Sequence, residues 1–241
     1  MEMSDTEKQG VDIVVLNYNN IGLIEKCVQS IRAHSQGHYN LIVVDQGSTD
    51  GSREWLKNKV DHLILNKENT GAWEGRNQGV REARYDLIVF CDSDIEIKDS
   101  HWLDKLWCCA VGNVGMVEAR VKLWDNSYRF AGFACCMIRR VVFREIGLFD
   151  SKFLIGGDLD FWARYMWNGK FGVDYAEDTD IYHSCGGTLH WGALKEQEVF
   201  LDKKFRKDMM EYKYNPVFLK NTVVEMNRMR YRFEKERGLV K

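Results

Sequence analysis

Residues 87–94 read LIVFCDSD, an apolar run of strand length that ends in two aspartates two positions apart. A near-continuous apolar run of this length fits a strand covered on both faces. Three comparable runs precede it. Val11–Leu16 (VDIVVL) ends at Asn17-Tyr18-Asn19-Asn20, and Leu41–Val44 (LIVV) ends at Asp45-Gln46-Gly47-Ser48-Thr49-Asp50-Gly51. Leu63–Leu65 leads to Asn69-Thr70-Gly71. The intervals between these runs carry helical signals. Ile21, Ile24, Cys27, Val28 and Ile31 recur at helical spacing. Ser48 or Asp50 can cap a helix that carries Trp55 and Leu56. A third helix runs from Gly71 through Arg84. Strands alternating with helices predict βαβ units on a parallel, Rossmann-like sheet flanked by helices, an α/β fold. The polar clusters then fall at the carboxyl ends of strands one, two and four, where open α/β sheets bind ligands.

The second half has a different rhythm. Gly115–Val121 and Gly132–Ile138 predict strands, Arg139–Ile146 a short helix, Asp158–Trp167 another helix, and Asp180–His183 the end of a last strand. From about Leu194 the pattern predicts two helices separated near Asn215-Pro216. At 241 residues and 45% hydrophobic, the chain can bury a sizeable core, which excludes a disordered tail or a disulfide-stapled miniprotein. Its seven cysteines include two adjacent pairs and no CxxC, so buried reduced thiols are expected. No apolar run approaches the ~18–20 residues of a membrane span, and MEMSDTEKQG is not a secretory start, so a cytoplasmic protein is expected. The formal charge of −2 excludes a generally basic nucleic-acid coat but hides an asymmetry. Residues 203–241 hold twelve Lys+Arg and five Asp+Glu, a balance of +7 that leaves −9 on the first 202.

Two carboxylates at the end of a buried strand can approach one cation. Without a counter-ion, charges ~4 Å apart repel by roughly 4 kcal/mol at an effective dielectric near 20. Hard oxygen ligands suit Mg²⁺ or Mn²⁺. Arg76 lies in the first turns of a helix that opens after Gly71, a position able to hold a diphosphate. Asp158 follows Gly156-Gly157, where an acceptor can approach the backbone closely; the same aspartate could serve as a helix cap. Asp160 and Arg164 stand at i and i+4 and can pair along the helix.

The series VVLNYNN, VVDQGSTDGS, NKENTGAWEGRNQGVREA and LIVFCDSD resembles the donor half of family 2 glycosyltransferases with the GT-A fold, most like the rhamnosyltransferase-like branch. Gly157-Asp158-Leu159-Asp160-Phe161-Trp162-Ala163-Arg164 resembles that family's E-D-x-D-x-x-x-R segment, with Gly157 where the glutamate usually stands. His183 before Gly186-Gly187-Thr188 resembles its late metal histidine. The resemblance covers residues 11–190. It implies an inverting, metal-dependent transfer of a sugar from a nucleoside-diphosphate sugar to an acceptor hydroxyl. Asn17 and Tyr18 would lie against the nucleoside, Asp45 would bond the base, Arg76 and Asn77 would face the diphosphate or sugar, and Asp92 would contact the ribose or donor sugar. Asp94 and His183 would hold Mn²⁺ or Mg²⁺, and Asp158 would be the catalytic base. Gly157, Asp160, Trp162 and Trp124 would border the acceptor.

The expected organisation is a flexible start over 1–10, a GT-A domain over 11–192 and a basic helical extension over 193–241. Within the domain, 11–95 form the donor half and 96–192 the acceptor half. The donor expected first is a UDP-sugar, with dTDP- or GDP-sugars as alternatives; the acceptor is a glycan, a lipid-linked glycan or another polymer. The basic extension could meet a membrane surface or a second copy of the chain. The rival readings are a sugar nucleotidyltransferase and a non-catalytic carbohydrate- or nucleotide-binding scaffold. The former calls for a Gly-rich basic phosphate loop after the first strand, where this chain has Asn17-Tyr18-Asn19-Asn20.

Overall fold

The computed structural model describes residues 10–153 and 157–184. The expectations for residues 1–9 and 193–241, and for Gly156 and Gly186-Gly187-Thr188, lie outside the described residues. The first four strands are β1 (Val11–Asn17), β2 (Tyr39–Asp45), β3 (His62–Leu65) and β4 (Leu87–Asp92). They pair in parallel in the spatial order β3-β2-β1-β4, as the alternating pattern predicts. Helices α1 (Ile21–His34), α2 (Ser52–Leu56) and α3 (Ala72–Glu82) connect them.

The apolar strands serve two cores because successive side chains point to opposite faces. Ile13, Val15, Leu41, Val43, Val89 and Cys91 enter one core, with Ile24, Cys27, Val28 and Ile31 of α1. Val14, Ile42, Ile88 and Phe90 enter the other, with Trp73 and Val80 of α3. Helix α3 lies unusually close to the sheet. A Cβ on Gly79 would stand 2.3 Å from Val14, and one on Gly75 would overlap the Gln46 side chain and touch Leu16.

Beyond β4 the sheet changes direction. The remaining strands are β5 (Ile95–Ile97), β6 (Val114–Leu123), β7 (Tyr128–Phe130), β8 (Cys135–Arg139), β9 (Gly172–Ala176) and β10 (Ile181–His183). The spatial order continues β4-β8-β6-β10-β5, with β7 and β9 also on β6. β8 is antiparallel to both β4 and β6, whereas β9 and β10 run parallel to β6. Helices α4 (Trp102–Cys109), α5 (Arg140–Ile146) and α6 (Gly157–Asn168) complete the described chain.

Three expectations need correction or completion. The strand expected from Gly132 begins at Cys135, because Gly132–Ala134 form a 3-10 turn entered at a Gly132 φ of +55°. β5 is three residues long, too short for its alternation to register in sequence. β9 reads GVDYA, with its first three residues only half-buried, so it lacks an apolar run. The expectation of buried thiols holds for Cys27, Cys91, Cys135 and Cys136 but not for Cys108, which is exposed, or Cys109, which is half-buried; none of the described cysteines forms a disulfide. Among the described residues no helix is long and apolar enough to cross a membrane.

Candidate active site

Strand register assembles the site. In the parallel pairs Asn17 stands opposite Asp45, and Leu16 opposite Asp92, so three polar strand ends share one edge of the sheet. β5 begins directly after Asp94 and pairs antiparallel with β10, which sets Ile95 opposite His183. The Ser184 N–H donates to the Asp94 carbonyl at 3.1 Å and locks that register. Residues 89 positions apart in sequence therefore meet, and His183 Nε2 lies 3.2 Å from Asp94 Oδ1. Asp92, Asp94 and His183 each bring one ligand atom within 4.8 Å of the others.

This donor set fits a divalent cation. Two carboxylates and one imidazole offer the oxygen and nitrogen ligands that Mn²⁺ accepts and Mg²⁺ accepts in part. Burial raises the Asp92 carboxyl above the usual carboxylate range; Arg76 opposes that rise, and Asp94 adds to it. Arg76 Nη2 donates to Asp92 Oδ1 at 2.8 Å and to the Phe133 carbonyl at 3.4 Å. Below the cluster the Cys27 thiol lies 3.6 Å from the Asp92 carbonyl. Burial, foremost, and then Asp94 push that thiol's pKa up, so it stays protonated and inert.

The remaining residues expected to meet the donor divide by how fully the chain itself occupies them. Asp45 is completely buried. Its oxygens accept from Asn17 Nδ2 at 2.9 Å and from the Gly47 and Ser48 N–H groups at 3.2 and 2.9 Å, with Arg53 at 3.6 Å. Asn17 Oδ1 is buried without a hydrogen-bond partner among the described residues, and Tyr18 beside it is half-buried. Asn77 does not turn toward the acid cluster. Its amide donates to the Phe149 carbonyl at 2.8 Å and accepts from the Phe149 N–H at 3.0 Å, so it clamps α3 to the segment ahead of α6.

The residues expected to border the acceptor divide in the same way. Asp158 lies in the first turn of α6 and is half-buried. Asp160 is fully buried and receives Arg164 Nε at 2.8 Å and Nη2 at 2.7 Å, the pairing that the i, i+4 spacing predicts. The same guanidinium donates to the carbonyls of Ile146, Gly147 and Leu148. Trp162 faces the core, where its ring meets Tyr165 at 5.6 Å, and so does not border an open cleft. Trp124 does the opposite: it is 64% exposed and follows Leu123, which stands opposite His183 in the β6–β10 pair. Gly157 is not open to an approaching acceptor on every side, because the Trp73 indole fills the space next to its Cα.

Sequence reasoning missed Gln46. This buried side chain donates to the Gly71 carbonyl at 3.3 Å and accepts from Thr70 N–H, Thr70 Oγ1 and Asn66 Nδ2 at 2.9–3.1 Å. It thereby fixes the entry to α3. Its place inside an ordinary turn sequence gave no sign of this, since the partners lie 20 to 25 residues away.

Residues 12–108 match the family model for glycosyl transferase family 2. The likeness to that family rests on this stretch of the chain. Among curated relatives, TuaG of Bacillus subtilis (strain 168), which carries the name of a teichuronic acid biosynthesis glycosyltransferase, is 36% identical over 89 residues. That alignment takes in 35% of this chain and 35% of TuaG. Glycosyltransferase AglE of Haloferax volcanii is 22% identical over 198 residues, which cover 70% of this chain and 64% of AglE. The chain thus spans from a third to under two thirds of these relatives' lengths. A solved mannosyltransferase from Pyrobaculum calidifontis, in complex with GDP-Man and Mn²⁺, superposes with a TM-score of 0.60 at 19% identity, covering 89% of this chain and 68% of that one. Residues 1–349 of S. aureus TarS, in complex with UDP, give 0.62 at 16% identity, covering 97% and 76%. The likeness to these structures shows the GT-A fold.

Proposed function

We propose that the chain is an inverting, metal-dependent glycosyltransferase that moves a sugar from a nucleoside-diphosphate sugar to an acceptor hydroxyl. The observation that carries this reading is the Asp92–Asp94–His183 cluster at the carboxyl edge of the parallel strands. The family match over residues 12–108 supports it, and so do the GDP-Man, Mn²⁺ and UDP held by the solved neighbours.

In this reading Asp94 and His183 hold a divalent ion, and Arg76 orients Asp92 beside it. Such an ion supplies charge neutralisation to the departing diphosphate. The nucleoside lies against Asn17 and Tyr18, with Asn17 Oδ1 as a free acceptor for a base or ribose donor. Asp45 enters as a positioning residue, because its bonds to Gly47 and Ser48 shape the loop beside the nucleoside. Asn77 likewise positions rather than touches, through Phe149. Asp158 accepts the proton of the acceptor hydroxyl as the new bond forms to the anomeric carbon, a role that contributes typically ~10²–10⁴-fold. Attack from the face opposite the leaving diphosphate inverts that centre. The exposed Trp124 offers an aromatic face to an acceptor sugar, which favours a glycan or glycan-bearing polymer. The donor base is a purine or a pyrimidine, GDP and UDP being the two that the neighbours exhibit.

The test is release of nucleoside diphosphate from a panel of UDP-, GDP- and dTDP-sugars, with Mn²⁺ and with chelator. Turnover of at least one donor in Mn²⁺, lost in chelator and in Asp94→Ala, is expected. Equal turnover in chelator would contradict the role of the cluster, and no turnover of any donor would contradict the activity.

A further inference from the structure

Helix α3 touches both ends of the proposed reaction. At one end its Arg76 donates to Asp92 of the acid cluster at 2.8 Å. Three residues earlier, Trp73 lies with its ring centroid 5.1 Å from the Arg76 guanidinium, and the five-membered ring of the same indole meets Gly157. A Cβ on Gly157 would stand 2.7–2.8 Å from three indole atoms, closer than real Cβ contacts come. Gly157 is the residue before Asp158.

The indole cannot readily swing aside. It packs on Phe149 at 5.6 Å and against Phe133 at 6.2 Å. Phe149 is itself fixed at both backbone polar groups by Asn77, which stands one helical turn beyond Trp73. Phe149 in turn stacks on Phe161 of α6 at 4.6 Å. The start of α6 is therefore seated against a rigid aromatic wedge that belongs to the helix holding Arg76.

We infer that the Trp73–Gly157 contact is the spacer that sets the distance from Asp158 to the Asp92–Asp94–His183 cluster. Trp73 and Gly157 are then positioning residues for the base, an inference that rests on the glycosyltransferase reading above. Proton acceptance requires the acceptor oxygen to sit between the base and the anomeric carbon. Carbon contacts settle near ~3.5–4.0 Å, so a methyl at 157 has to shift the α6 start by most of an ångström. A misplacement of about 1 Å costs roughly 10²-fold in rate. A glutamate at 157, as in the motif this segment resembles, would meet the same ring. Trp73 and a small residue at 157 thus form a matched pair.

The decisive experiment compares wild type, Gly157→Ala, Trp73→Leu and the double variant. It measures Mn²⁺-dependent release of UDP or GDP from a nucleotide sugar that the wild type turns over, together with calorimetric affinity for UDP or GDP. Gly157→Ala should lose about 10²-fold in kcat while nucleotide affinity stays within about two-fold, and the double variant should return to within about ten-fold of wild type. Wild-type kcat in Gly157→Ala, or a double variant as slow as the single, would overturn the inference. Nucleotide affinity reports folding. Should Gly157→Ala bind no nucleotide, Trp73→Leu alone decides: removing the spacer should lower kcat with affinity retained, and an unchanged kcat would overturn the inference. A wild type that turns over no nucleotide sugar overturns the proposed function, and this inference with it; an active wild type with unimpaired variants overturns only the spacer.

Discussion

Asp45 and Asp92 end neighbouring parts of the same parallel sheet, after apolar strands of similar length, yet their surroundings differ in kind. Asp45 accepts three hydrogen bonds from Asn17, Gly47 and Ser48 and has Arg53 nearby, so its charge is answered within the chain. Asp92 lies beside a second acid, Asp94, with Arg76 on one side and His183 reached through the β5–β10 pair. On α6 the two acids differ in burial: Asp160 is fully buried against Arg164, and Asp158 stands half-buried in the first turn. An aspartate at a strand end or a helix start is thus a weak signal until its hydrogen-bond partners are counted. Acids that the fold satisfies shape the site, and acids crowded together invite a ligand.

The α6 contrast gives the largest expected effect. Asp158→Asn keeps the shape and removes proton acceptance, so transfer should fall by roughly 10²–10⁴-fold while calorimetric donor affinity holds. Asp160→Asn should leave the chemistry largely in place and lower stability in urea unfolding by about 1–3 kcal/mol, because a buried charge-assisted pair is broken. If Asp160→Asn abolished transfer and Asp158→Asn did not, the assignment of these two acids would be reversed.

The strand-end contrast predicts a smaller and different response. Asp45→Ala leaves the Gly47 and Ser48 N–H groups and the Asn17 amide short of an acceptor. A loss of about 1–3 kcal/mol in unfolding free energy is expected, with nucleotide affinity weakened through the loop. Asp92→Ala removes a carboxylate from a crowded pair, so its cost should appear in Mn²⁺-dependent nucleotide binding, not in the unfolding midpoint. Equal stability losses for the two variants would erase the distinction. The smallest effect belongs to an exposed pair remote from both clusters. Lys170→Ala breaks the surface contact with Glu145 and should change stability by less than about 1 kcal/mol.

Most of the fold over residues 11–95 was legible in sequence because parallel strands between two helical layers read as unbroken apolar runs, as Val11–Leu16 and Leu87–Cys91 do. Polar residues at their carboxyl ends then marked the site. What lay hidden depended on pairing between distant segments. Ile95–Ile97 is too short to announce a strand, yet it is the element that carries His183 to Asp94. The amides of Asn77 and Gln46 looked like site groups or turn residues, and only their partners at Phe149, Thr70 and Gly71 show them to be fasteners. The vacancy that Gly157 implies in sequence is filled by an indole 84 positions earlier, which no local pattern could reveal.

The central claim is that Asp92, Asp94 and His183 form one cation-dependent nucleotide site. Calorimetric titration of UDP and of GDP into the wild-type chain, with Mn²⁺ and with chelator, tests it most directly. At least one nucleotide should bind with Mn²⁺ and lose at least about ten-fold in affinity with chelator, a difference of ~1.4 kcal/mol that Asp94→Ala should remove. Affinity that is the same with and without Mn²⁺ would contradict the claim.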